Sequence, residues 1–138
     1  MAVPPTDPFA YLFSLEQFGV KLGLGNISAI TRALGHPERS YATLHIAGTN
    51  GKGSVAAMVE SCLRAAGHRT GRYTSPHLVH LTERISVDGE AVSRDALGQV
   101  VSQIRGVVEH LQSSGELAVH PTFFEVTNAA AITSIGLD

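Results

Sequence analysis

The sequence predicts an α/β fold: a parallel sheet flanked by helices and carrying a phosphate-binding loop, incomplete within this chain. Three adjoining observations predict it. Ala42, Leu44 and Ile46 alternate with Thr43 and His45, the period-2 pattern of a strand over residues 41–47. The glycine-rich turn Gly48-Thr49-Asn50-Gly51-Lys52-Gly53-Ser54 follows directly. Val55, Met58, Val59, Cys62, Leu63 and Ala66 then recur at helical spacing, and Gly67 stands where a helix would end.

Strand, glycine loop and helix in this order suit a polyphosphate. Small residues let backbone N–H groups approach the anion, and a lysine adds positive charge at the helix N-terminus. On this reading the amides of Gly48, Thr49, Asn50, Gly51 and Gly53 cradle phosphates. Lys52 adds its positive charge, and Ser54 opens the helix and reaches a phosphate-bound Mg²⁺. The spelling departs from the common phosphate loop. Ile46 occupies the place of its first glycine, and Gly53 separates Lys52 from Ser54. A plain glycine-rich strand-to-helix turn is the other reading.

The other elements fall on both sides of this unit. Asp7 caps a helix with Pro8 at its first position, and Phe9, Leu12 and Phe13 lie on its apolar side. Residues 19–25 are glycine-rich. Asn26 caps a second helix through Ile27, Ile30 and Leu34, ending at Gly35. Residues 69–74 read as another strand, residues 75–78 as a turn-rich break, and residues 83–92 as a hairpin with Asp88-Gly89 at its tip. Ser93 caps a long helix whose apolar face is Ala96, Leu97, Val100, Val101, Ile104, Val107, Val108 and Leu111; Gly115 ends it. Residues 121–135 form the last helix, with Ala129, Ala130 and Ala131 suited to close packing. Only two strands of a parallel sheet are visible, too few to cover these helices. The sequence therefore reads as the first part of a larger domain.

Composition narrows the classes. At 138 residues and 43% hydrophobic the chain can bury a core, so disorder is not expected. A net charge of −2 without a basic cluster gives a nucleic-acid partner no electrostatic support. No apolar run approaches a membrane span, and residues 1–8 lack the basic start and apolar centre of a signal peptide, so a cytoplasmic protein is expected. The single cysteine, Cys62, excludes an internal disulfide framework and reads as a core residue. His45 reads as a core histidine beside the loop, and His36, His68, His80 and His110 as surface or loop residues.

Residues 45–54 resemble the phosphate loop of the Mur ligase superfamily. Tyr73-Thr74-Ser75-Pro76-His77-Leu78 with Thr82-Glu83-Arg84-Ile85, Thr122-Phe123-Phe124-Glu125 and Gly23-Leu24-Gly25-Asn26-Ile27 are similar to the folylpolyglutamate synthase and dihydrofolate synthase family, over nearly all of residues 9–128. The resemblance implies an ATP- and Mg²⁺-dependent ligase of the Mur central-domain fold. Such enzymes phosphorylate the carboxylate of dihydropteroate or a folylpolyglutamate, and L-glutamate then displaces the phosphate. It further implies Ser75, with Ser54, as Mg²⁺ ligands. Lys21, Leu22 and Gly23 would form one wall of the pteroate pocket, and Thr122, Phe123, Phe124 and Glu125 the other. His77 would touch phosphate or pteridine, or simply shape its turn. Lys21 departs from an acidic residue found there in some relatives.

The family pattern also implies a helical segment over residues 1–40 packing on an ATP-binding domain that begins at residue 41, and a usually monomeric protein. It continues past residue 138 with a strand bearing a Mg²⁺-binding glutamate, a histidine ligand, a carbamylated lysine and a C-terminal domain. For the 138 residues alone the expectation is therefore no ligase turnover. Two alternatives remain open: a non-catalytic nucleotide- or folate-binding remnant, and a Mur-type cell-wall peptide ligase.

Overall fold

The computed structural model describes residues 7–19, 23–117 and 119–137. Four helices form its centre. Helix α1 (Pro8–Ser14) starts at Asp7, whose carboxylate accepts from the Phe9 amide at 3.3 Å, and runs into a 3-10 turn over Leu15–Phe18. Helix α2 spans Gly25–Ala33, α4 spans Arg94–Ser114 and α5 spans Phe123–Gly136. Phe9, Leu12, Leu15, Ile30, Leu97, Val101, Ile104, Val108 and Val126 bury together between them. Ser93 caps α4 through the Ala96 amide at 3.1 Å, and Thr122 with Glu125 makes a reciprocal capping box at α5. Ala129, Ala130 and Ala131 are buried along α5, which lets neighbouring elements approach closely.

A small sheet lies on the other side of α5. Strands β1 (Gly71–Tyr73), β2 (Ile85–Val87) and β3 (Glu90–Ala91) pair in the order β1-β2-β3, with both ladders antiparallel. Asp88 and Gly89 turn the β2–β3 hairpin with φ 51° and 85°, as the Asp-Gly pair predicts. A Cβ on Gly71 would sit 2.5 Å from the Ile135 side chain, so glycine is what lets β1 lie against α5.

Helix α3 (Lys52–Ala65) stands apart from the helical core and packs on β1. Its one buried side chain is Glu60, whose carboxylate accepts from Thr70 Oγ1 at 2.9 Å and pairs with Arg64 Nε at 2.9 Å.

Several expectations are corrected here. No parallel pair of strands forms among the described residues, and the α/β character rests on the antiparallel sheet. Residues 42–48 are not a strand, and Leu44 is 68% exposed. Alternation supplies a face, but a ladder also needs a neighbour: among the described residues β1 pairs with β2 alone, and no strand lies paired beside residues 42–48. Although α3 touches β1, most of its apolar stripe is uncovered among the described residues: Val55, Met58, Leu63 and Cys62 are exposed, as is His45. Asn26 does not cap α2; the cap position is Leu24, and the Asn26 side chain bonds to another helix. Ser54 does not open α3, because the helix starts two residues earlier.

Candidate functional site

The glycine loop delivers its backbone into the start of α3. Gly51 is the N-cap and adopts the left-handed conformation, φ 78° and ψ 8°, which glycine enters without the Cβ clash other residues meet. Lys52 is the first helical residue. Its Nζ turns back and donates to the carbonyls of Gly48 at 2.5 Å and Thr49 at 3.5 Å, so its charge is held over the loop. Residues 47–55 are all exposed. The first amides of an α-helix have no partner within it, so this end offers N–H donors and a cation to an anion.

A second cluster forms around the turn that follows β1. The Ser75–Pro76 peptide is cis, and Ser75 is exposed. Its loop returns through a 3-10 turn over Leu81–Arg84. The Thr74 amide donates to the Arg84 carbonyl at 2.9 Å and closes the loop at its base. Inside the loop, Glu83 accepts three backbone N–H bonds, from Leu78 and Val79 at 2.9 Å and from His80 at 2.7 Å. These bonds favour the ionised form and hold the Glu83 carboxyl down to about 2. Arg84 Nε donates to His77 Nδ1 at 2.9 Å, and the Arg84 guanidinium lies 5.4 Å from the centre of the Phe123 ring.

The Phe123 ring belongs to the N-terminal turn of α5. It also stacks on Phe13 of α1, with centroids 5.6 Å apart and planes 22° apart. Phe124 is 58% exposed. Glu125 is buried, and its Oε1 accepts from the Thr122 amide at 3.0 Å, the Thr122 hydroxyl at 3.2 Å and Asn26 Nδ2 at 3.2 Å. Its Oε2 is buried without a hydrogen-bond partner among the described residues. One oxygen of Glu125 thus serves the fold, and the other is an unspent acceptor.

The structure therefore groups His77, Phe123, Thr122 and Glu125 through Arg84 and the capping box, and presents the loop of residues 48–54 separately. No hydrogen bond or ion pair joins the two groups among the described residues. Gly23 has a positive φ of 101° and precedes α2. Lys21 and Leu22 lie outside the described residues. Arg84, Asn26, Glu83 and Phe13 also take part in this arrangement, although residue type and spacing give none of them a place in a site. Arg84 and Glu83 lie in the Thr82-Glu83-Arg84-Ile85 motif, and Asn26 in the motif over residues 23–27. Their partners are not in those motifs: Asn26 bonds Glu125 and Phe13 stacks on Phe123, both remote in the chain. Three or more metal-binding His, Cys, Asp or Glu side chains nowhere cluster among the described residues.

The described residues thus present two features on a small α/β segment: an exposed helix start with free N–H donors and a lysine, and an aromatic-acidic cluster at the start of α5. Comparison with known proteins finds homologues. The chain is a homologue of folylpolyglutamate synthase and dihydrofolate synthase. It is 39% identical over 127 residues to a dihydrofolate synthase/folylpolyglutamate synthase of Bacillus subtilis, which covers 91% of this chain and 29% of that protein. Its fold matches the folylpolyglutamate synthase of Thermotoga maritima with a TM-score of 0.83 and 37% identity, over 94% of this chain and 29% of the other. A bifunctional folylpolyglutamate synthase/dihydrofolate synthase solved with Mn, AMPPNP and L-glutamate bound matches with a TM-score of 0.77 and 29% identity, over 98% and 31%. No protein-family model matches the chain. The chain spans about three-tenths of the length of these relatives.

Proposed function

We propose that this chain forms the nucleotide-binding and pteroate-binding part of an ATP-dependent ligase that adds L-glutamate to dihydropteroate, to a folylpolyglutamate, or to both. The observation that carries the reading is the left-handed Gly51 followed by Lys52 at the start of α3, in a chain that matches folate-glutamate ligases over 91% of its length. A neighbour of the same fold binds AMPPNP, Mn and L-glutamate.

The chemistry explains what these residues must do. An amine cannot displace oxide from a carboxylate. Transfer of the ATP γ-phosphoryl group to the carboxylate gives an acyl phosphate and ADP. The glutamate amine then attacks the carbonyl carbon, phosphate leaves, and the ammonium proton is released. Two anions must be held together while this happens, which calls for cations and N–H donors. Gly48, Thr49, Asn50, Gly51 and Gly53 supply amides, and Lys52 exchanges its two carbonyl contacts for phosphoryl oxygens.

Ser54 and Ser75 are neutral oxygen donors with exposed side chains. They suit Mg²⁺, which takes oxygen ligands and retains waters and phosphate oxygens. When bound, the ion neutralises phosphate charge. The pteridine stacks on Phe123 or Phe124, and Glu125 Oε2 accepts one of its N–H donors. Lys21, Leu22, Gly23 and His77 complete the pocket. In this reading residues 1–40 pack as a helical segment on the nucleotide-binding part from residue 41, and the protein is a cytoplasmic monomer. No described helix is long and apolar enough to cross a membrane.

Equilibrium binding of MgATP and of dihydropteroate to the chain tests the proposal. Saturable binding of both supports it, and binding of neither overturns it. Glutamate-dependent ATP hydrolysis separates a ligase from a non-catalytic nucleotide- or folate-binding module.

A further inference from the structure

We propose that Arg84 is the positioning residue of the candidate site: it fixes His77 as the Nε2–H tautomer and ties the Ser75-Pro76-His77 turn to Phe123, so that the turn meets its ligand with a hydrogen-bond donor. The inference rests on the reading that His77 and Phe123 line one site.

The hydrogen-bond inventory forces the tautomer. A guanidinium has only donors and keeps its charge in proteins. Arg84 Nε lies 2.9 Å from His77 Nδ1, so Nδ1 is the acceptor and carries no hydrogen. The ring hydrogen is then on Nε2, which has no hydrogen-bond partner among the described residues. An imidazole with the opposite tautomer would present an acceptor instead, and would meet Arg84 donor to donor.

Arg84 is held well enough to impose this. Its carbonyl accepts the Thr74 amide at 2.9 Å, so backbone and side chain both close the loop that contains Ser75 and His77. The preceding residue, Glu83, gathers the amides of Leu78, Val79 and His80 and stiffens the same loop. The guanidinium is half-buried over Phe123, which Phe13 stacks against. Beside it lies Tyr73 of β1, whose buried phenol is pushed up by desolvation and pulled back by the Arg84 charge. One side chain thus contacts the turn and the start of α5, and acts on the end of β1.

The ¹⁵N ring spectrum of His77, recorded without ligand on the wild-type chain, on Arg84→Lys and on Arg84→Gln, tests this. The wild type is expected to show a protonated Nε2 and an unprotonated Nδ1. Both variants are expected to show mixed tautomers. A wild-type ring protonated at Nδ1 overturns the proposal, and so does an Arg84→Gln ring identical to wild type. Arg84→Lys keeps the charge over Phe123 and serves should Arg84→Gln unfold. Pteroic acid is the probe for the consequence, with affinity expected to fall about tenfold in Arg84→Gln. Unchanged affinity there overturns the positioning role. Absence of pteroic acid binding in the wild type overturns the pteroate reading alone, because the tautomer is read without ligand.

Discussion

Lys52 shows how one residue can be legible in a sequence while its partners are not. The Gly-Lys-Gly-Ser context announces a cation at a helix start, and the structure places it there with Gly51 left-handed before it. That Nζ rests on the Gly48 and Thr49 carbonyls follows from the turn's path, which residue types do not specify. Because Lys52 is exposed and bonds only within its own loop, Lys52→Ala is expected to leave the unfolding free energy within about 0.5 kcal/mol of wild type. Its MgATP affinity should fall at least about tenfold, ~1.4 kcal/mol. Calorimetric titration checks this, and an unchanged affinity removes Lys52 from phosphate binding. Asn26 is the contrary case. Its type and position read as a helix cap, yet its amide spans 99 positions in sequence to Glu125. A local pattern holds no record of a partner so distant.

At the scale of elements, what is local was legible and what needs a partner was not. The caps Asp7 and Ser93 act within three residues, and both are where the sequence puts them. The Asp88-Gly89 turn is equally local. The strand expected over residues 41–47 fails because alternation describes one face and says nothing of who supplies the neighbouring ladder. Cys62 is exposed for the same reason: its stripe is apolar, but among the described residues most of it is uncovered. The caps differ in what they carry. Ser93 is exposed and satisfies one amide, so Ser93→Ala is expected to cost about 1 kcal/mol. Thr122 is 3% exposed, and its hydroxyl also bonds Glu125 Oε1. Thr122→Ala therefore removes a cap and a buried bond together, and should cost about 2 kcal/mol or more. Urea unfolding of the two variants checks the order, and equal losses would show that the Thr122–Glu125 contact contributes nothing beyond the cap.

The whole molecule is a four-helix core with a small sheet on one side of α5, and its pH limits come from its two surfaces. On the loop side, Glu83 holds three amides and ionises near 2, against 4.5 for a free carboxyl. Asp88 is held low by the Thr70 amide. The Glu83 stabilisation is present above pH 4.5 and is lost as pH falls toward 2, because the unfolded chain takes up its proton first, and Asp88 acts in the same direction. On the helical side, burial pushes the Tyr11 phenol up to about 12, against 10.0 when free, with the nearby Arg105 charge opposing. The unfolded chain then loses that proton first, so stability is full below pH 10 and falls as pH rises through 12. The melting temperature is therefore expected to be flat between these edges and to fall on either side. Two substitutions assign the edges. Glu83→Gln should flatten the acid limb. Tyr11→Phe should flatten the alkaline limb and leave the melting temperature near pH 8 unchanged or raised, because the Tyr11 hydroxyl is buried without a hydrogen-bond partner among the described residues and its removal relieves an uncompensated desolvation. Circular dichroism melts across the pH range measure both limbs. An alkaline limb as steep in Tyr11→Phe as in the wild type would move that edge to the other half-buried phenols, Tyr41 and Tyr73, which burial also raises.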